Sequence, residues 1–155
     1  MKANASGVIQ VVRFVVGNRD FALDVMAVKE VLRPTNVKVV PGQPNFVTGL
    51  VELRGEYVPL IDLRRRFKSQ EADLPGKIVV TSANKRLLAL MVDSVGEVRR
   101  LYRKDLRSPP LDTGLGGVSI VDSIAEMEGE MILILRADAL LGEDEWALLP
   151  RASDQ

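Results

Sequence analysis

The sequence predicts an all-β fold, a barrel or a sandwich, from three observations. Apolar, β-branched runs of about five to nine residues recur along the 155-residue chain, beginning with Val8–Val16 (VIQVVRFVV). Two-residue turn signals separate several of them, at Gly17-Asn18, Arg54-Gly55, Asn84-Lys85 and Glu128-Gly129. The composition, 46% hydrophobic and 27% charged, is that of a globular chain able to bury about two-thirds of its unfolded surface, as one domain or two small intertwined subdomains.

The elements follow in order. Val8–Val16 is nearly continuous in apolar residues, as a strand buried on both faces must be. Phe21–Leu23 returns from the Gly17-Asn18 turn. Asp24 is placed to cap a helix over Val25–Leu32, with Val25, Val28 and Leu32 on one face, Lys29 and Glu30 on the other, and Pro34 as its stop. Val37–Val40 reads as a short strand closed by the turn at 41–44. Leu50–Leu53 and Tyr57–Ile61 form a hairpin, in which Gly55 supplies a positive φ without steric cost and Arg54 is pushed out at the tip between Glu52 and Glu56. Asp62 caps a helical turn over Leu63–Phe67, whose Arg64, Arg65 and Arg66 read as solvated.

Lys77–Thr81 and Leu87–Val95 pair through Asn84-Lys85, and Gly96 marks a bend or bulge before Glu97–Tyr102. Residues 107–117 are a Pro- and Gly-rich loop. Val118–Met127 and Glu130–Leu135 make the last hairpin, followed by a short helix at Ala137–Leu141. Three regions are expected: a flexible start at 1–7, the folded domain at 8–141 and an acidic tail at 142–155. No internal repeat is evident in residue identity.

Several functions are disfavoured by what the chain lacks. Without Cys there is no disulfide, thiolate nucleophile or thiolate metal site; without His the usual neutral-pH general base and commonest metal ligand are gone. Lys+Arg and Asp+Glu both number 21, so no global field favours nucleic acid or an anionic membrane. The charge is uneven, however: residues 54–107 hold 13 basic and 7 acidic groups, residues 108–155 hold 2 and 10. The seven aromatics are scattered, with no clustered stacking platform. No apolar run reaches the roughly 18 residues of a membrane span, and residues 1–7 have no signal-peptide core. The glycines at 114–117 lack the GK[ST] of a phosphate loop, and pairs such as Asp93/Glu97 or Glu126/Glu128 read as wet strand faces before they read as acid and base. No cofactor and no metal is expected.

Four segments together resemble the chemotaxis coupling protein family, the CheW-like domain. They are FVVGNRDFALDVMAVKEVLRP near the start, PNFVTGLVELRGEYVPLIDLRRRF at 44–67, MVDSVGEV at 91–98 and SIAEMEGEMILILRADALL at 123–141. The resemblance spans about Val11 to Leu141. It implies two intertwined five-stranded SH3-like β-barrels with a few short helices, and a non-enzymatic scaffold in the cytoplasm, recruited to receptor arrays at the inner face of the membrane. The implied partners are the regulatory domain of a CheA-type histidine kinase and the cytoplasmic tip of a methyl-accepting chemoreceptor, with no nucleic acid and no direct membrane insertion.

Residue roles follow from the same resemblance. Arg54 occupies the receptor-coupling position, and Glu30, Leu87 and Leu88 match further receptor positions, although core packing alone would equally explain the two leucines. Gly49, Val51 and Glu52 match the kinase side, although a backbone requirement would also explain Gly49. Three residues depart from the family pattern: Glu52 stands in place of Asn, Arg136 in place of Asp and Ser123 in place of Gly. They are compatible with a paralogue in an array other than flagellar chemotaxis. Two readings stand outside the coupling role. A nucleic-acid-binding β-barrel would use the basic middle third, and an isolated kinase regulatory domain is disfavoured by the Met1 start with no catalytic segment before it.

Overall fold

Strands alternating between two hydrophobic interiors define this structure. The computed structural model describes residues 7–35, 37–69, 75–109 and 120–149. Within them the chain runs β1 (Val8–Val16), β2 (Arg19–Asp24), β3 (Val28–Leu32), β4 (Val37–Lys38), β5 (Gly49–Leu53), β6 (Glu56–Asp62) and α1 (Leu63–Arg66). It continues through β7 (Lys77–Ala83), β8 (Arg86–Val92), β9 (Ser94–Tyr102), β10 (Leu106–Arg107), β11 (Val121–Met127), β12 (Glu130–Leu135) and α2 (Glu143–Leu148). One sheet has the order β10-β11-β12-β2-β1-β9 and the other β3-β7-β8-β6-β5-β4.

In each sheet the two edge strands are sequence neighbours. β9 passes into β10 through the 3-10 turn Arg103–Asp105, and β3 passes into β4 by a short connection. Counting each bent pair as one strand gives the five strands per barrel that the motifs imply, and the bend carries each sheet round into a barrel. β1, β2 and β9–β12 build the first barrel; β3–β8 build the second and interrupt the first in sequence. Each barrel has one bent strand, two hairpins and one parallel pairing, β2 with β12 and β6 with β8. The hairpin β11–β12 corresponds to β5–β6, and β1–β2 to β7–β8. The first barrel is thus a circular permutation of the second, a repeat of topology that residue identity does not reveal.

The continuous apolar strands are explained by a third core between the barrels. Ile9, Val11, Ala22, Ile132 and Ile134 fill the first barrel; Val51, Val58, Leu60, Ile78, Val80, Ala89 and Met91 fill the second. Their sequence neighbours on the opposite strand face, including Phe21, Leu23, Leu133, Ile61, Val79, Leu88 and Leu90, meet in the shared core. A period-2 strand with apolar residues on both faces has no solvated side, as Val8–Val16 indicates. Phe14 stacks on Phe21 here and Phe67 meets Phe21 at a tilt, with centroids 5.9 and 5.1 Å apart, so three of the scattered aromatics do gather, but in the interior.

Four expectations are corrected. Residues 28–32 form β3 rather than the second half of a helix, because Val28, Val31 and Leu32 pair along β7 and tertiary pairing outweighs local periodicity. Asp24 does accept from Met26 N–H at 2.9 Å, but this closes a tight turn; the same side-chain bond serves an Asx turn or a helix cap. Val37–Val40 contributes only Val37–Lys38 to the sheet. Arg64 is not solvated. It is 3% exposed, donates from Nε to Asp62 Oδ1 at 3.1 Å and lies 3.6 Å from Asp93 Oδ1. Asp93 in turn accepts from Gly17 N–H at 2.7 Å, so the buried charges tie α1 to the β1–β2 turn of the other barrel.

The segment read as an acidic tail begins as a clasp. Trp146 and Leu149 are buried in the shared core, and Trp146 Nε1 donates to Asp138 O. Arg86 donates to the carbonyls of Trp146 and Leu149 at 3.1 and 3.2 Å. Arg66 grips the Glu145 carboxylate with both Nη atoms, while Glu145 Oε1 also accepts from Gly142 N–H at 2.9 Å. Chain that follows the first barrel is thereby fastened to α1 and β8 of the second. Residues 1–6, most of the loop at 107–117 and residues 150–155 lie outside the described residues.

Arg66, followed by the Gly142 amide, holds the Glu145 carboxyl below its ordinary value against the opposing effect of burial. A carboxylate with a depressed folded pKa contributes stability that is complete above its unfolded value and lost as pH falls through the folded one. Wild type is therefore expected to melt above Glu145→Gln at neutral pH. The difference should shrink below about pH 4.3 and vanish on further acidification. Thermal unfolding of both proteins across that range checks it; a pH-independent difference would contradict the ion pair.

Candidate docking surfaces

The β5–β6 hairpin turns on two residues, Arg54 at φ 52° and Gly55 at φ 84°. Both central residues of a type I′ turn need positive φ, which glycine adopts freely and arginine does only at a conformational cost of about 1–2 kcal/mol. The Gly17-Asn18, Asn84-Lys85 and Glu128-Gly129 turns have the same paired positive φ, so four two-residue hairpins share one geometry. The Arg54 side chain is 82% exposed, and its Nη2 lies 3.6 Å from Glu30 Oε2 on β3. Such a pair is screened by water and contributes little, which leaves the guanidinium easily exchanged to another carboxylate.

Glu52 faces a different neighbour. Its Oε2 is 3.7 Å from Lys38 Nζ, which also donates to Tyr57 Oη at 3.3 Å and sits 5.3 Å from the centre of that ring. The Tyr57 hydroxyl above all, with Glu52 adding to it, raises the Lys38 ammonium pKa. Val39 and Val40 extend this exposed face beyond β4. The hairpin thus presents a cationic tip at Arg54 and a mixed face of Lys38, Glu52 and Tyr57.

The remaining sequence-matched residues are mostly interior. Leu88 is fully buried in the shared core, and Val51 is 3% exposed inside the second barrel, so neither side chain offers a contact surface. Leu87 is half-buried against the second barrel. Gly49 is buried, and a Cβ there would meet Val37 Cγ1 at 2.8 Å and Lys38 O at 2.9 Å. That close approach of β4 supplies an internal reason for the glycine. The structure therefore brings Arg54 and Glu30 together, turns Glu52 to Lys38 instead, and buries Leu88 and Val51.

A groove between the barrels is lined by Leu23, Asp24, Asp122, Leu135, Arg136 and Ala139 from the first barrel and the segment that follows it, and by Ser82 of the second, with Ala27 between β2 and β3. Neither Leu87 nor Leu88 lines it. Arg136 Nη2 is 3.3 Å from Asp122 Oδ1, so the arginine that departs from the motif is an element of the groove's rim. Ala27 and Ser82 carried no signal in the sequence, because small residues become informative only once the groove between two barrels is seen.

The pattern of the CheW-like domain matches residues 10–145. The chain belongs to the CheW-like family. The chemotaxis protein CheW of Treponema pallidum is 30% identical over 132 residues, covering 81% of this chain and 78% of that protein. CheW of Helicobacter pylori is 27% identical over 139 residues, covering 88% and 84%. Among solved structures, the scaffolding protein CheW of Thermoanaerobacter tengcongensis superposes with a TM-score of 0.79 at 26% identity, covering 88% of this chain and 94% of that one. The CheW-like pair of barrels and the scaffold class implied by the motifs both stand.

Two substitutions separate display from packing. Gly49→Ala is expected to destabilise by about 1–3 kcal/mol, since its Cβ must displace backbone. Arg54→Asn should leave the melting temperature equal or higher, because asparagine tolerates positive φ better. Chemical denaturation of the two variants against wild type measures both.

Proposed function

We propose that this chain is a non-enzymatic coupling scaffold that holds the regulatory domain of a CheA-type histidine kinase to the cytoplasmic tip of a chemoreceptor. The observation that carries the reading is the display of Arg54. A long cation sits on a rigid turn where asparagine or glycine would be less strained, exposed and only loosely paired with Glu30. The inter-barrel groove, aliphatic at Leu23, Ala27 and Leu135 and charged at Asp24, Asp122, Arg136 and Asp138, is the seat for the helical tip of a receptor, which would bury small and aliphatic groups in it. Arg54 and Glu30 take the receptor side. The hairpin face around Glu52 takes the kinase, with Gly49 and Val51 supporting it from within.

The chain performs no chemistry in this role; it works by binding two partners at once on one stiff body. Modest separate affinities suffice, because the array supplies a high effective concentration. No described helix is long and apolar enough to cross a membrane. The protein works in the cytoplasm, and its place at the inner face of the membrane comes through the receptors it holds.

Calorimetric titration against a CheA-type regulatory domain and a receptor-tip fragment tests this, with wild type and Arg54→Ala in parallel. Both proteins are expected to bind the kinase domain equally, while Arg54→Ala loses about tenfold in affinity for the receptor tip. Glu52→Lys is expected to weaken the kinase and spare the receptor. Failure of wild type to bind any such kinase domain would sink the proposal. Nucleic-acid binding that weakens steeply with salt would favour the basic-barrel alternative instead.

A further inference from the structure

Among the described residues, β9 is the longest strand at a sheet margin. It runs nine residues, Ser94–Tyr102, and pairs with β1 alone. Two hydrogen bonds fix which of its residues face the open side. Val25 N–H donates to Gln10 O at 2.9 Å, and Arg103 N–H donates to Gly7 O at 2.8 Å. Antiparallel ladders alternate, so Gln10 and Val12 direct their amides to β2, and Arg100 and Val98 opposite them turn theirs away from β1. Tyr102, opposite Val8, does the same. The N–H and C=O groups of three residues thus line one margin, a template for one more strand.

The same three residues share an outward side-chain face. Val98 is 52% exposed and Tyr102 50%, with Arg100 exposed between them. Arg99 and Leu101 take the inner face, where Leu101 joins the barrel core and Arg99 Nη2 lies 3.7 Å from Met127 Sδ. Past Tyr102 the exposed Arg103 and Lys104 extend the positive charge, and Lys104 Nζ sits 5.8 Å from the centre of the Tyr102 ring. Arg100, Arg103 and Lys104 have no ion-pair partner among the described residues. Residues 97–107 hold five basic groups against two acidic ones, Glu97 and Asp105.

Cations on an edge guard against the pairing of like edges, which makes a second copy of this chain a poor occupant. Guarding needs only charge, yet here two large apolar side chains are displayed in register with it. An acidic strand is attracted where a like strand is repelled. We propose that the β9 margin takes up an extended acidic segment of a partner protein by strand addition. Alternate residues of the added strand lie beside Val98, Arg100 and Tyr102, so the fitting sequence is apolar, acidic and apolar at every second position. A further acid beyond the last apolar residue meets Arg103 and Lys104. This margin belongs to the first barrel and the Arg54 hairpin to the second, so the proposal does not rest on the coupling function.

Fluorescence anisotropy of a labelled synthetic peptide, with valine and glutamate alternating between threonines, is titrated with the full chain. Saturable binding is expected. Exchanging the peptide's glutamates for lysine, or methylating the backbone nitrogens that would donate to β9, should each weaken it about tenfold or more. Arg100→Glu should weaken it about tenfold and Tyr102→Ser several-fold, while both variants melt with wild type because the altered side chains are exposed. No saturable binding, or equal binding of the methylated peptide, would overturn strand addition. Tighter binding of a single-stranded DNA oligonucleotide, lost in Arg100→Glu, would assign the cations to nucleic acid and overturn it as well. Self-association of wild type in sedimentation, lost in Tyr102→Ser, would place a second copy on the margin with the same consequence.

Discussion

The hydrophobic core shared by the two barrels is the constraint on which everything else depends. Along β1, β2, β12, β6, β7 and β8, residues of one strand face fill a barrel and residues of the other enter the core between the barrels. Burying an aliphatic or aromatic side chain contributes about 1.5–3 kcal/mol, and the shared core contains five side chains that are at most 1% exposed from the strands of the first barrel and the β6–α1 segment alone: Phe14, Phe21, Leu23, Ile61 and Leu63. The buried Asp62–Arg64 pair and the half-buried Asp93 beside it add direction to what hydrophobicity alone leaves loose. Removing one partner of such a group strands a buried charge, so the network fixes how one barrel is seated on the other.

A stiff two-barrel body is what gives surface residues a defined relation to one another. Ser82 belongs to the second barrel, Arg136 to the segment after the last strand of the first, and the groove they line exists only because the two barrels are held against each other. The clasp formed by Trp146, Leu149 and the Arg66–Glu145 pair secures that relation from the far end of the described chain. Docking a partner across such a groove requires little reorganisation, which keeps the entropic cost of binding low.

Much of this was legible in the residues. Strands buried on both faces announce themselves as unbroken apolar runs, and two-residue turns announce hairpins. What was misread shares one cause, dependence on partners far along the chain. Residues 25–32 carry a passable helical spacing, and only pairing with Ile78–Thr81 decides for a strand over Val28–Leu32. Arg64 lies within a triplet that looks solvated, yet its second carboxylate partner is Asp93 on the other side of a hairpin. Trp146 is the one tryptophan, and its position after three acidic residues concealed an anchor within a tail. At the candidate site, Arg54 and Glu30 were legible as motif positions, whereas the burial of Leu88 and Val51 depends on which strand face each occupies.

The permuted order of the barrels has a consequence for how the chain is made. All six strands of the second barrel are contiguous, and its parallel closure joins Leu60 to Ala89. The first barrel closes only when Ile132 meets Asp20, after the whole of the second has emerged. During synthesis the β1–β2 hairpin must wait, half its apolar surface uncovered, while its sister assembles. The later-made strands then close on it from the far end, at the larger entropic cost of a long loop. The order of assembly thus places the slow, aggregation-exposed interval in the N-terminal hairpin, although that hairpin is the first structure the ribosome releases.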